Sequence, residues 1–122
     1  MLKVTKPAPN RLDIELSGML DAELMRAGLD ELMALSVDIN AGRMLYRIPG
    51  FAMPTLGAIG VEMGYLPKLF GLIGRFDRCA VCTDAAWLRT AAEMEGAMFP
   101  GLDIKSFALD DTAEAEAWLD SA

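Results

Sequence analysis

The chain has 122 residues, 53% of them hydrophobic, with no histidine and a formal net charge of −7. That length fits one domain burying roughly two-thirds of its surface, and the missing histidine excludes histidine-bound metals and Ser-His-Asp or Cys-His nucleophiles. No dense Lys/Arg cluster offers nucleic acid a cationic face, and no apolar run reaches the ~18 residues of a membrane span; the first residues, Met1-Leu-Lys-Val-Thr-Lys-Pro, are too briefly apolar for a secretory signal, so a cytoplasmic protein is expected.

Leu2-Lys-Val-Thr and Leu12-Asp-Ile-Glu-Leu-Ser17 alternate apolar and polar residues around a turn at Pro7, Pro9 and Asn10. Leu12, Ile14 and Leu16 share one face and Asp13 and Glu15 the other, which predicts an antiparallel hairpin wet on one side. Asp21 caps a predicted helix to about Leu35, with Leu24, Met25, Leu29, Leu32 and Met33 at helical spacing. Asn40-Ala-Gly42 breaks the chain, Arg43–Ile48 fits a strand, and Pro49-Gly50 ends it.

Pro54 to Arg75 holds Gly57, Gly60, Gly64, Gly71 and Gly74, and Pro67 interrupts it. Helical spacing of Leu56, Ile59 and Met63, then of Leu69, Phe70 and Ile73, predicts two helical pieces broken near Gly64-Tyr-Leu-Pro67. Each glycine costs about 1 kcal/mol of helix propensity relative to alanine, so this many imply close backbone packing, mobility, or both. Cys79–Thr83 is a short buried strand, and Asp84 caps a helix from Ala85 to about Ala97 that Met98-Phe-Pro-Gly101 stops. Asp103–Phe107 is the last strand. Asp111-Thr-Ala-Glu114 has the form of a capping box, and Ala115, Trp118 and Leu119 face inward on a closing helix. The order β-β-α-β-α-β-α-β-α predicts a single α/β domain over residues 1–122 with a largely parallel sheet covered by helices.

The block Arg78-Cys-Ala-Val-Cys-Thr-Asp-Ala-Ala-Trp87, then Pro100-Gly-Leu-Asp-Ile-Lys-Ser-Phe107 and Ala115-Glu-Ala-Trp-Leu119, resembles the SpoIIAA-like branch of the STAS and SEC14-like domains. The resemblance runs from about residue 2 to residue 120. It implies a mixed five-stranded sheet whose first strand is antiparallel, flanked by about four helices. It also implies a non-enzymatic regulatory module of the bacterial cytoplasm that docks a protein partner or associates with itself as a homodimer. The alternative it carries is an apolar small molecule or lipid bound under the helix of residues 65–76, as in SEC14-like domains.

In STAS domains the helix after the third strand opens with a Ser or Thr that a partner kinase phosphorylates, and Thr55 holds that place. The local Met53-Pro-Thr-Leu-Gly57 lacks the Asp of the family's Asp-Ser-Ser/Thr-Gly pattern, so Thr55 is a candidate phosphosite in a degraded motif and otherwise a helix cap. Cys79 and Cys82 form a C-x-x-C, but strand alternation turns them to opposite faces, and no further Cys or His completes a metal site. Gly57-x-x-Gly60-x-x-x-Gly64 lacks the nucleotide-loop signature and suits close helix packing, within the chain or across a dimer. Lys68, Phe70, Leu72, Ile73, Arg75 and Phe76 make a basic, apolar segment suited either to the core or to a ligand or membrane surface. With the strand-end rule for open α/β sheets, the candidate ligand or partner surface is Tyr46, Arg47, Tyr65, Lys68, Phe70, Ile73, Asp84 and Trp87. No metal, cofactor or catalytic group is assigned.

Overall fold

Alternation along the second strand decides which way the sheet faces. Leu12, Ile14 and Leu16 are 0, 4 and 8% exposed, while Asp13 and Glu15 between them lie on the opposite, wetter face. The computed structural model describes residues 2–51, 55–86, 90, 93 and 101–121. Strand β1 (Leu2–Ala8) pairs antiparallel with β2 (Arg11–Gly18) through the Pro9-Asn10 turn. Strands β3 (Gly42–Phe51), β4 (Phe76–Thr83) and β5 (Asp103–Phe107) follow in parallel, and the spatial order equals the chain order.

A parallel sheet that grows steadily in one direction puts successive right-handed crossovers on one face. Helices α1 (Ala22–Ser36) and α2 (Leu56–Ile73) accordingly lie side by side over one core, where Met25, Leu29, Leu32, Ala58 and Leu72 meet Ile14, Ile48, Cys79 and Val81. Helix α3 (Thr112–Asp120) returns over the other face and seals a second core of Leu45, Ala80, Cys82, Phe107, Ala115 and Leu119. Strand β4 is thus covered on both faces, which explains its unbroken run of buried residues from Cys79 to Thr83.

The five predicted strands, the first two helices and the closing helix are present in the predicted order, and the first strand is antiparallel. Several local expectations differ. Strand β3 does not stop at Pro49-Gly50 but continues to Phe51; a register shift against β2, between Glu15 and Ser17, absorbs the proline that has no N–H to donate. The predicted break near Pro67 is a bend of 52° between Leu56–Tyr65 and Pro67–Ile73 in one helix. Asp21 caps α1 as expected, accepting from Leu24 N at 2.9 Å. Asp111 does not form the expected capping box, because the turn Leu109–Asp111 precedes α3 and its side chain makes no cap bond. Asp84 accepts from Leu109 N at 3.0 Å and so joins the end of β4 to the segment after β5; the helix it is expected to cap lies largely outside the described residues. Of the helix expected from Ala85, the described residues are Ala85, Ala86, Thr90 and Glu93, the last three helical; Trp87 lies outside the described residues.

No single helix among the described residues is long and apolar enough to cross a membrane.

Candidate functional site

Helix α2 starts where β3 has delivered the chain to the carboxyl end of the sheet. Thr55 Oγ1 accepts from Ala58 N at 3.1 Å, and Thr55 N donates to Leu20 O at 2.9 Å, so the helix opening is pinned to the loop before α1. From that start, a turn of about 3.6 residues separates the inward residues from the outward ones. Ala58 and Leu72 are buried, and Val61, Tyr65 and Leu69 pack against the core. Leu56, Gly60, Met63, Pro67 and Gly71 fall on the outside.

The outer stripe is unusual for a surface helix. Leu56 is 86% exposed and Met63 61%. Gly60, Gly64 and Gly71 have nothing within 4 Å of where a Cβ would sit, so these glycines face open space and meet no backbone of another described segment. The charged residues Glu62 and Lys68 lie on the flanks of the stripe. A helix apolar on its inner and outer sides is ordinarily buried on both.

One edge of α2 is fastened to α1. The Tyr65 hydroxyl donates to Asp30 Oδ1, and Lys68 Nζ lies 5.2 Å from the centre of the Tyr65 ring. That hydrogen bond to Asp30, with some desolvation, raises the phenol above its ordinary pKa.

The structure brings Tyr65 and Lys68 together and separates other members of the predicted surface. Tyr46 packs against the α1–α2 core, whereas Arg47, its neighbour along the strand, points to the opposite face, 3.7 Å from Glu15. Ile73 is half-buried at the end of α2, and Asp84 is exposed beyond β4. The Phe70 side chain, like Trp87, lies outside what is described. Cys79 and Cys82 form no disulfide and lie in the two different cores, on opposite faces as strand geometry requires. Among the described residues no group of three His, Cys, Asp or Glu side chains could hold a metal ion.

Sequence reasoning passed over a row of arginines on the far face. Arg11, Arg43 and Arg78 are cross-strand neighbours on β2, β3 and β4. The signal was available, since each stands within the first three residues of its strand.

No curated protein matches the chain significantly. Among solved structures, it is similar to an uncharacterised protein of the DUF3478 family with a SpoIIAA-like fold from Shewanella loihica PV-4. That match has a TM-score of 0.74 at 19% identity and covers 98% of this chain and 92% of the other. The Bacillus cell-fate determinant SpoIIAA in its phosphorylated form is similar with a TM-score of 0.57 at 11% identity, over 93% of this chain and 97% of that one. At these identities the two structures establish the fold. The SpoIIAA-like family model matches residues 11–120, and the chain therefore belongs to the SpoIIAA-like family.

Proposed function

We propose that this protein is a non-enzymatic docking module, and that the outer face of α2 receives a protein surface, either a second copy of the chain or a different partner. The observation that carries the reading is the uncharged stripe of Leu56, Gly60, Met63, Gly64 and Gly71, exposed along a helix whose other side already faces the core. Glycine supports a protein occupant over a lipid one. It contributes little apolar area to bury in lipid, yet lets a second helix approach closely. The net charge of −7 also opposes adsorption to an anionic membrane.

Thr55 offers a means of control. Its hydroxyl sits at the start of α2, where helix N–H groups and the helix dipole favour added negative charge. A relative in fold, SpoIIAA, has been solved in a phosphorylated form. Thr55→Glu is expected to change partner affinity, and Thr55→Ala to abolish modification by a kinase of the host.

Sedimentation velocity on the wild type and Gly64→Leu tests the docking face. Leucine at an open helical position keeps the fold and improves helix propensity by roughly 0.8 kcal/mol, so a lost association reports on the surface. If Gly64→Leu associates as the wild type does, α2 is not the docking face.

A further inference from the structure

The arginine row on the face of the sheet away from α2 is not used by the docking reading. Its members start from neighbouring strands about 4.8 Å apart, so three like charges are crowded along one pleat. Two of them are engaged. Arg11 bonds Asp13 at 2.7 Å through Nε and Glu116 at 3.0 Å through a terminal nitrogen. Arg78 donates to the carbonyls of Trp118 and Ser121 at 2.7 and 2.6 Å, holding the C-terminal end of α3, and lies 5.3 Å from the Trp118 ring centre.

Arg43, between them, differs. No hydrogen bond or ion pair joins its side chain to a described residue, and its Nε is buried without an acceptor. The residue as a whole is half-buried, so the rest of the charged fork stays within reach of an incoming acceptor while its Nε makes no bond of its own.

Arg43 lines a groove of about 410 Å³ between the β1–β2 turn and α3, with Pro7, Ala8 and Asn10 on one side and Glu116 and Asp120 on the other. This is the size of a small-molecule site. Glu116 is engaged by Arg11, while Asp120 makes no ion pair with a described residue. The groove therefore presents one unpaired cation and one unpaired anion from two separate elements. A simple anion would bind Arg43 but meet the carboxylates of α3. A simple cation would bind Asp120 but meet Arg43.

A molecule carrying both charges satisfies both walls. We infer that the groove binds a small zwitterion of the α-amino-acid type, with its carboxylate on the Arg43 guanidinium and its ammonium on Asp120. The apolar surfaces of Pro7 and Ala8 are left for its side chain.

The test is an amide-resolved NMR titration of the whole chain with free leucine and glutamine. N-acetyl-leucine and leucine amide, which each keep one of the two charges, run beside them. The amides of Ala8, Asn10, Arg43 and Glu116 are expected to shift and saturate by about 10 mM, as a millimolar site does. Either single-charge analogue, Arg43→Gln and Asp120→Asn should each weaken binding at least about tenfold. Should Arg43→Gln fail to fold, Asp120→Asn, exposed at the last turn of α3, supplies the reading. No shift with any free amino acid, or equal affinity for N-acetyl-leucine, overturns the inference, the latter by making the groove a plain anion site. Gly64→Leu leaves these shifts unchanged, so the groove and the docking face stand or fall separately.

Discussion

Ala41 turns the chain from α1 into β3 with φ at 52°, a left-handed conformation in which a Cβ is strained. Glycine would relieve that strain while adding some entropy to the unfolded chain, so Ala41→Gly is expected to stabilise the protein by a net of about 0.5 kcal/mol. The check is a higher urea midpoint at unchanged slope. Gly42, next along, cannot be exchanged in the same way, because a Cβ there would collide with Ile39. Cys82 is fully buried, and desolvation raises its thiol above the ordinary value of 9.0. The folded state then holds its proton more tightly than the unfolded chain does. Its contribution to stability is complete below pH 9 and lost as pH rises through the folded value. Cys82→Ala should flatten that alkaline loss, measured by urea unfolding from pH 8 upward. Residue-scale detail was where sequence reading failed most often. Asp111 has the identity and spacing of a cap but makes no cap bond, and Asp84 accepts from Leu109 N, a contact that no local pattern announces.

At the scale of elements, α2 and α3 behave as opposites. Helix α3 is short, and Ala115 and Leu119, both 0% exposed, hold it to the second core. Truncation to Leu119→Ala should therefore cost about 3 kcal/mol, read as a lower denaturant midpoint. Helix α2 carries glycines that its own fold does not use. Gly60→Ala is expected to stabilise the isolated chain by about 0.8 kcal/mol, because the site is open and alanine is the better helix former. That gain should appear in thermal unfolding even where association is weakened. Periodicity disclosed both helices, and Pro67 disclosed the bend. It could not disclose which side of α2 was covered: with apolar residues all round, the hydrophobic pattern names no inward face. Close packing of its glycines against another backbone was a fair expectation, yet among the described residues Gly60, Gly64 and Gly71 meet none outside their own helix.

For the molecule as a whole, topology was the most readable level. Alternation at Leu12–Leu16, the repeated strand-helix order and the doubly buried run of β4 leave few arrangements besides a mixed sheet with crossovers on one face. The site was less readable because its parts are distant in sequence. The arginine row needs three strands in register, and the groove beside Arg43 needs α3 to return over the hairpin turn. The two faces that result have different characters: an apolar outer helix on one side and a charged, partly open sheet on the other. The first of these is the proposed docking face. Native mass spectrometry of the protein purified from its own host, wild type beside Gly64→Leu, tests it most directly. The expected result is a wild-type complex, with a second copy or another protein, that is absent in Gly64→Leu. A wild-type monomer carrying only a lipid-sized mass, or a complex that Gly64→Leu leaves intact, would contradict it.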